Sequence, residues 1–335
     1  MEIKEAINKV LSKENLTEKE MADVMNEIMS GTTTSAQKGG FLIGLRAKGE
    51  TVEEILGAAK ALRSHTTKVN IENPKHLIDT CGTGGDGGKT FNISTCVAII
   101  AASGGAKIAK HGNRAVSSKS GSLDVLSALK IKTDYSPEES AKIITEKGMA
   151  FLLATSYNSG MKNVGKERVE LGTRTIFNML GPLLNPAPLT GQLMGVYDGR
   201  LTETIGKVLL ELGLNRALVV HGNDGLDELT TTTTSIVTEV NNGEVKTYEF
   251  DPTKYGIQKA ELKDISGGTP EENAKTIIDI LNGEKGPKRD IVVLNTAAAL
   301  FAAEIVDSIE EGIKMANQLI YSKKAIQKYN ELIEG

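Results

Sequence analysis

Residues 77–122 read LIDTCGTGGDGGKTFNISTCVAIIAASGGAKIAKHGNRAVSSKSGS, and the fold of the chain is predicted most directly from them. They begin with a short apolar strand, Leu77 to Cys81, which a glycine-rich loop follows at once. A helix of small apolar residues is predicted from Asn92 to Ser103, and a second strand from Ala106 to Ala109. Strand, helix and strand in this order indicate a largely parallel sheet, with ligand-binding loops at the carboxyl ends of its strands.

The same stretch carries a local positive charge. It contains no Asp or Glu between Gly87 and Leu123, although the whole chain has a formal net charge of -4. Its basic residues are Lys89, Lys107, Lys110, Arg114 and Lys119. Around them lie glycines, serines and threonines, whose backbone amides and hydroxyls are good partners for anionic oxygens. We interpret the stretch as a cradle for a polyphosphate.

The composition of the 335-residue chain limits its class. Hydrophobic residues make up 39% and charged residues 24%, which is typical of a globular protein with a large core and, at this length, of two domains. The negative net charge argues against general nucleic-acid binding, which needs many basic contacts on one surface. Two cysteines, Cys81 and Cys96, are too few for a disulfide framework. With neither a signal peptide nor an apolar run of membrane-spanning length, we expect a cytoplasmic protein.

The domain organisation is predicted from changes in periodicity. Residues 1 to 66 show helical spacing only, and a polar segment from Thr67 to His76 follows as a hinge. Residues 159 to 180 return to helical character and are expected to pack near the N-terminal helices. We therefore predict a helical domain of residues 1–66, completed by helices within about 159–180, and an α/β domain of residues 67–335.

The remaining strands of the α/β domain are predicted from short apolar runs. Those runs are Phe151 to Ala154, Leu193 to Tyr197 and Ala217 to Val220. Two longer runs, Thr230 to Val240 and Val245 to Phe250, flank an Asn-Asn-Gly turn and are predicted to pair antiparallel. The threonines at the start of the first run suit a strand and receive no other role.

The glycine loop alone is ambiguous. Gly82, Gly84 and Gly87 match a dinucleotide-binding pattern, but that pattern needs an acidic residue about twenty positions later, and the next one after the loop is Asp124. A nucleotide P-loop lacks its first glycine here, and a plain tight turn stays an alternative. Asp86 favours another ligand, since a carboxylate in an anion site suits the hydroxyls of a sugar. We therefore expect a phosphorylated sugar.

Two further groups of residues complete the predicted site. Lys110 to Arg114 with Ser117, Ser118, Lys119 and Ser122 supply charge and directed hydrogen-bond donors, although a solvated basic loop would look similar. Asp227 and Glu228 follow another strand, and paired carboxylates beside phosphates suit magnesium, although such pairs are usually plain surface charge. His65, His76 and His221 have no ligand spacing and are expected to be structural.

Several motifs together resemble the anthranilate phosphoribosyltransferase family. They are DTCGTGGDG, NIST, KHGNRAVSSKSGS, LGTRTIFNMLGPLLNP and GLDE, in this order and spacing. The resemblance implies transfer of a phosphoribosyl group from 5-phosphoribosyl 1-diphosphate (PRPP) to the amine of anthranilate in tryptophan biosynthesis. It also implies a small all-helical N-terminal domain plus a larger α/β domain with a mostly parallel central sheet, of the nucleoside phosphorylase/phosphoribosyltransferase type. Such chains usually form a homodimer through the helical part.

The resemblance also implies which residues bind each ligand. PRPP would be held by Gly82, Gly85, Asp86, Thr90, Asn92, Ile93, Ser94, Thr95, Lys110, His111, Gly112, Asn113, Arg114, Ala115, Val116, Ser117, Ser118 and Ser122. Mg²⁺ would be positioned by Ser94, Asp227 and Glu228. Anthranilate would be contacted by Gly82, Asn113 and Arg168, the last through the carboxylate of anthranilate. His111 would line the reacting centre, and we assign no essential general base.

The chain departs from the family pattern on the acceptor side. Asn158 stands where the family usually has a histidine, and Gly160 replaces an alanine. This leaves open a related enzyme with another aromatic amine as its acceptor. A non-catalytic relative that binds nucleic acid would need a basic surface and a degraded donor loop. A pyrimidine nucleoside phosphorylase shares the architecture, but its phosphate-loop sequence is not visible here.

Overall fold

The computed structural model describes residues 1–84, 90–112 and 121–334. In these ranges the chain forms fifteen α-helices and seven β-strands. The helices are α1 (Ile3–Leu11), α2 (Glu18–Met29), α3 (Ser35–Lys48), α4 (Val52–Ser64), α5 (Ile93–Ser103), α6 (Ser122–Ala128), α7 (Pro137–Lys147), α8 (Ala154–Tyr157), α9 (Lys162–Leu171), α10 (Phe177–Leu180), α11 (Thr202–Glu211), α12 (Pro270–Leu281), α13 (Pro287–Ala302), α14 (Ile309–Tyr321) and α15 (Lys324–Ile333). The strands are β1 (Leu77–Gly82), β2 (Lys107–Gly112), β3 (Met149–Leu153), β4 (Gly191–Gly195), β5 (Arg216–Gly222), β6 (Ser235–Asn241) and β7 (Glu244–Phe250).

The seven strands form one sheet in the order β3-β2-β1-β4-β5-β6-β7. The pairs from β3 to β5 are parallel, and β6 and β7 are added antiparallel. The first four helices precede the sheet in the chain, as the sequence predicts. The predicted fold class, a helical N-terminal part with a mostly parallel α/β part, is confirmed.

The strand β2 extends further than the sequence predicts. The expected strand ended at Ala109, but β2 continues to Gly112 because it is paired with β3 from Ile108 to Gly112. Lys110 and His111 therefore belong to the strand and not to the loop after it. A lysine and a histidine at consecutive positions are poor strand formers in isolation, and tertiary contacts decide their conformation.

The strand β4 is shifted toward the N-terminus from its predicted position. It begins at Gly191 and not at Leu193. Glycine is unfavourable in a strand unless another chain segment comes close to its backbone. That is the case here, since a Cβ atom on Gly191 would lie 2.1 Å from the carbonyl oxygen of Ala302, at the end of α13. Strand β3 likewise begins at Met149, two residues before the predicted Phe151.

The threonine-rich run is not a strand, contrary to the prediction. Strand β6 begins only at Ser235. The hydroxyls of Thr230 and Thr232 instead donate hydrogen bonds, both of 2.5 Å, to the Asp224 carboxylate. The run therefore folds the segment between β5 and β6, which carries Asp227, into a fixed turn.

The sheet is covered on both faces. Helices α5 and α13 pack against one face and are buried along most of their length. The apolar cluster on the other face is continuous with the core of the N-terminal helices. Helix α9 is joined to these helices by an ion pair of 2.9 Å between Lys38 and Glu167, and the Asn163 side chain donates to the Met29 carbonyl at 2.6 Å. In the described part of the chain, no helix is both long and apolar enough to cross a bilayer.

Candidate active site

A cavity of about 610 Å³ lies where the carboxyl ends of β1 and β2 meet the segment from α8 to α10. Gly82 and His111 line it from the strands, and Asn158, Arg168 and Phe177 line it from the helical side. In a parallel sheet the carboxyl ends of neighbouring strands point to the same edge, so this is the expected place for a ligand. The cavity thus brings together residues that the sequence predicts for both substrates.

The glycine loop and Asp227 are in direct contact. The Gly84 amide donates a hydrogen bond of 2.8 Å to the Asp227 carboxylate. A Cβ atom on Gly82 would lie 2.2 Å from the same carboxylate, and one on Gly195 would lie 1.6 Å from the Asp227 carbonyl oxygen. Glycine is therefore required at Gly195, where the approaching atom belongs to the backbone, whereas at Gly82 it leaves room for the Asp227 carboxylate. The sequence did not single out Gly195, because nothing in its neighbourhood indicates that Asp227 packs on it.

Lys110, near the end of β2, contacts the first turn of α5 through Ser94. Lys110 is buried, with only 4% of its surface exposed. Its ammonium group donates to the Ser94 hydroxyl at 3.1 Å and to the Thr80 carbonyl. In the described structure its charge is thus directed at β1 and Ser94. A cation held against Ser94 from below fixes the position of that hydroxyl at the edge of the site.

Asp79, which the sequence analysis missed, is a central acceptor of this region. It is 0% exposed, and its carboxylate accepts from the His111 amide at 3.2 Å and from the Asn185 side chain at 2.8 Å. Burial raises the pKa of the Asp79 carboxyl, and the nearby charge of Lys110 opposes that rise. An Asp at the middle of an apolar strand was the available signal, as was the Asn in the GPLLNP motif.

His111 is buried and neutral. It is 7% exposed, its Nε2 lies 3.1 Å from the Asn158 amide nitrogen, and its ring also hydrogen-bonds the Gly181 backbone. Burial lowers the pKa of His111 to about 4, and the Lys110 charge adds to this effect. The ring is therefore uncharged near neutral pH.

The predicted donor residues at the start of α5 occupy different environments. Ile93 and Thr95 are buried in the core, whereas Asn92 and Ser94 are half-buried. The Asn92 side chain accepts a hydrogen bond of 3.1 Å from Asn273. Thr90 forms an isolated bridge with Ser266. Contacts from α12 and from the segment before it therefore hold the start of α5, and no local pattern in the sequence indicates them.

Other predicted residues lie around the same edge or outside the described residues. Ser122 begins α6 and lines a small recess together with Lys110 and Gly112. The predicted donor and acceptor residues that lie outside the described residues are Gly85, Asp86, Asn113, Arg114, Ala115, Val116, Ser117 and Ser118.

Arg168 is the cation predicted for the acceptor. It lies on α9 and lines the cavity, with its guanidinium 5.8 Å from the centre of the Phe177 ring. Burial lowers the pKa of Arg168, although an arginine stays charged under all ordinary conditions. An arginine over an aromatic ring in a half-buried site offers a planar pair of donors to a carboxylate.

The residues predicted for magnesium are all oxygen donors. Asp227 and Glu228 are half-exposed neighbours after β5, and the Ser94 hydroxyl lies by the end of β1. Across the described ranges, no group of three or more His, Cys, Asp or Glu residues could hold a metal alone. Two carboxylates and a hydroxyl nevertheless fit Mg²⁺, because this ion takes few protein ligands and completes its shell with water and phosphate oxygens.

His65, His76 and His221 have backbone or amide partners outside the cavity. The ring of His76 bonds the Ala303 carbonyl at 2.7 Å, and that of His221 bonds the Val196 carbonyl at 2.7 Å. His65 lies 2.9 Å from the side-chain oxygen of Asn26. These contacts agree with the structural role expected for the three residues.

Two family models match the chain. The helical bundle domain of a glycosyl transferase family matches residues 4–66, and the a/b domain of a glycosyl transferase family matches residues 74–326. Among curated proteins, the anthranilate phosphoribosyltransferase of Clostridium beijerinckii is 64% identical over 332 residues, which cover 99% of this chain and 98% of the relative.

Solved structures of the same name are similar over nearly their full length. The crystal structure of anthranilate phosphoribosyltransferase from Thermus thermophilus has a TM-score of 0.92 at 38% identity, covering 98% of both chains. The Saccharomyces cerevisiae protein in complex with PRPP and Mg has a TM-score of 0.90 at 30% identity, covering 99% of this chain and 97% of that one. Its complex with 4-fluoroanthranilate has a TM-score of 0.88 at 29% identity, covering 99% and 96%.

Replacing His111 with Gln is expected to reduce the sensitivity of folding to acid. The folded pKa of about 4 lies below the ordinary 6.5, so the unfolded chain binds the additional proton. The stability that depends on the neutral ring is therefore complete above pH 6.5 and is lost as the pH falls toward 4. Between about pH 7 and about pH 5, the wild type should lose roughly 2 kcal/mol more free energy of unfolding than His111→Gln. Urea titrations at both pH values measure this, and equal losses would contradict the neutral ring.

Proposed function

Because the chain belongs to the anthranilate phosphoribosyltransferase family, we propose that the two substrates of this reaction meet in the cavity above the ends of β1 and β2. The enzyme is a glycosyltransferase of tryptophan biosynthesis that transfers the phosphoribosyl group of PRPP to the amine of anthranilate and releases diphosphate. The observation that carries the proposal is that Gly82, His111 and Arg168 line one cavity. Asp227 lies against Gly82 and Gly84 next to it.

We propose that PRPP lies along the sheet edge between the glycine loop and the start of α5. The amides of a glycine loop and of a helix start are suited to phosphate oxygens. Ser94 is held there by Lys110, and Ser122 lines the neighbouring recess beside Gly112. The remaining predicted donor residues, from Gly85 to Thr95 and from Lys110 to Ser118, belong to the same proposal.

We propose that Mg²⁺ is held by Asp227 and Glu228, with Ser94 as a further oxygen. The approach of the Asp227 carboxylate to Gly82 and Gly84 supports this, because it places a negative charge beside the loop that would carry the diphosphate. When bound, Mg²⁺ would stabilise the negative charge that develops on the leaving diphosphate. The yeast relative in complex with PRPP and Mg, at 30% identity, lends further support.

The chain's own residues would act mainly by preorganised electrostatics. Cleavage of the bond from the ribose C1 to diphosphate leaves an oxocarbenium-like centre and an anionic leaving group. Fixed amides and hydroxyls at the sheet edge stabilise that anion without reorganising during the reaction. The amine of anthranilate, an aniline, is already neutral near pH 7. It therefore needs orientation by the cavity walls and no deprotonation before it attacks C1. The proton that the nitrogen releases as the C–N bond forms is taken up by the departing diphosphate or by solvent.

We propose that anthranilate binds on the helical side of the cavity. Arg168 offers a guanidinium for its carboxylate, and Phe177, Gly82 and His111 supply uncharged wall. The predicted contact from Asn113 is part of the same proposal. The yeast relative bound to 4-fluoroanthranilate supports an aromatic acid as the acceptor.

We also propose that two copies of the chain associate through their helical parts, in the cytoplasm. Leu11 on α1, Ile43 on α3 and Val169 on α9 are large apolar residues that are 66%, 40% and 77% exposed. Helices α1 and α3 pack closely, since a Cβ atom on Gly44 would lie 2.9 Å from the Val10 side chain. A second copy of this surface would cover these side chains.

The cytoplasmic location is supported by the cysteines. Cys81 and Cys96 are free thiols, which suits a reducing compartment.

Replacing Asp227 with Asn is expected to raise the Mg²⁺ concentration needed for half-maximal turnover by tenfold or more, because the amide keeps the shape but loses the charge. Loss of anthranilate fluorescence across a magnesium titration measures this. Asp251→Asn is a matched control, since Asp251 is bonded to Thr253 after β7. An unchanged magnesium dependence of Asp227→Asn would rule out the metal assignment.

Replacing Arg168 with Ala is expected to raise the KM for anthranilate at least tenfold and to change the KM for PRPP less than threefold. The physical reason is the loss of the cation for the anthranilate carboxylate. Lys166→Ala is the matched control, because Lys166 lies on the same helix and is paired with Glu170 at the surface. Equal increases in both constants would contradict the placement of Arg168 on the acceptor side.

Replacing Ile43 with Asp is expected to convert the dimer to a monomer, because the substitution would bury a charge in an apolar interface. Sedimentation equilibrium gives the mass directly. Tyr321→Asp serves as a control, since Tyr321 is 86% exposed and lies on α14, far along the chain from the N-terminal helical domain. A monomeric wild type, or a dimer that the Ile43 substitution does not weaken, would contradict the proposed interface.

A further inference from the structure

Asn158 joins two buried groups that belong to different parts of the fold. It follows α8, and its amide nitrogen lies 3.1 Å from His111 Nε2 on β2. Its side-chain oxygen lies 2.6 Å from the Thr66 hydroxyl, which follows α4. All three residues are at least nine-tenths buried, and both Asn158 and His111 line the cavity. A continuous row of hydrogen bonds, Thr66–Asn158–His111, thus runs from the end of the N-terminal helices to the cavity wall.

Counting protons determines which group donates and which accepts in each of these hydrogen bonds. The backbone hydrogen bond with Gly181 raises the pKa of His111, so in it the ring donates to the Gly181 carbonyl. Because Nε2 faces the Asn158 amide, we assign this donated proton to the other ring nitrogen, Nδ1. If Nε2 were also protonated, the ring would be a buried cation, which desolvation disfavours. Nε2 is therefore an acceptor, and the Asn158 amide must donate to it. The Asn158 oxygen is then left to accept from the Thr66 hydroxyl, whose alternative acceptor, the Leu62 carbonyl, is further away at 3.1 Å.

The opposite orientation of Asn158 fails the same count. With the side chain turned over, its oxygen would face Nε2, and this contact would require a proton on Nε2 as well as on Nδ1. The charged groups near the ring do not favour such a cation. Lys110 precedes it on β2, and Lys162 and Arg168 line the same cavity, all with positive charge. The buried Asp79 carboxylate accepts from the His111 backbone amide and from Asn185.

We propose that Asn158 is a positioning residue, which holds the His111 ring against the cavity wall as the neutral Nδ1–H tautomer and anchors it to Thr66. Both ring nitrogens are then occupied by protein partners, so His111 is a fixed, uncharged wall and not a proton acceptor for the reaction. A protonated ring would give the carboxylate of the acceptor a second cation to bind, away from Arg168. The consequence for anthranilate rests on the proposed function, whereas the tautomer does not.

The tautomer can be measured without any substrate. Long-range proton–nitrogen NMR spectra of the ¹⁵N-histidine-labelled full chain separate Nδ1–H, Nε2–H and doubly protonated rings, and His111→Gln identifies the His111 signals among the four histidines. We expect a neutral Nδ1–H ring in the wild type near neutral pH. Asn158→Ala should release this preference, and Asn158→Asp should protonate the ring, with a pKa at least two units higher. An Nε2–H ring in the wild type, or unchanged His111 signals in Asn158→Ala, would overturn the proposal.

Variants at Thr66 test the same chain of hydrogen bonds with little change in volume. Thr66→Val removes the proton that orients Asn158 and should also loosen the Nδ1–H preference, whereas Thr66→Ser should retain it. Asn163→Ala is the matched control, because Asn163 also ties its segment to the N-terminal helices, through the Met29 carbonyl. Its His111 signals should match those of the wild type. A change in the control as large as that in Asn158→Ala would show that general loosening, not positioning, moves the ring.

Kinetics then test the consequence for the acceptor. Asn158→Ala should raise the KM for anthranilate about tenfold and change the KM for PRPP less than twofold. If the tautomer changes as expected but both constants rise equally, the positioning of His111 stands and the assignment of this cavity to anthranilate fails. If the tautomer does not change, the positioning role fails whatever the kinetics show.

Discussion

The buried carboxylate of Asp79 is the interaction on which the architecture of the site depends. It lies at the centre of the sheet without solvent contact and accepts from the backbone of β2 and from Asn185. The same Asn185 side chain donates to the Ala109 carbonyl at 2.7 Å. One acidic group thereby joins β1, β2 and the segment that leads to β4. Leaving such a charge without its partners would cost several kcal/mol, so these segments are held in one arrangement.

The residues around Asp79 form two different surfaces of the site. On the side proposed for PRPP, the charge of Lys110 stabilises the Asp79 carboxylate, and its ammonium group donates to Ser94. Asp227 packs against Gly82 and Gly195 on the same side. On the side proposed for anthranilate, His111, the residue next to Lys110, presents an uncharged ring to the cavity. Alternate residues of a strand face opposite sides of the sheet, which is how two neighbours on β2 serve such different environments.

The sequence predicts the framework well because local patterns determine it. Strand and helix alternation and the antiparallel pair around Asn242 both follow from neighbours in the chain. The end of β2 was predicted wrongly because Lys110 and His111 are polar, and only distant partners make their burial favourable. The Asp79 to Asn185 hydrogen bond spans 106 positions, and no periodicity within a segment can indicate it. The threonine run before β6 was wrongly predicted as a strand because its conformation depends on hydrogen bonds to Asp224, which strand propensity does not indicate.

Contacts between the N-terminal helices and the sheet hold the cavity wall that we propose for anthranilate. Helix α9, which carries Arg168, is held to α3 by the ion pair of Lys38 with Glu167, whose side chains are nearly buried. The Arg63 side chain of α4 donates to the Leu183 carbonyl at 2.6 Å, next to the Pro182 that lines the cavity. Thr66 adds its hydrogen bond to Asn158 from the same end of α4. The wall proposed for anthranilate is therefore held by groups of the N-terminal helices, whereas the edge proposed for PRPP is held within the sheet. A displacement of the helices relative to the sheet would move Arg168 and Asn158 together and leave Ser94 and Asp227 in place.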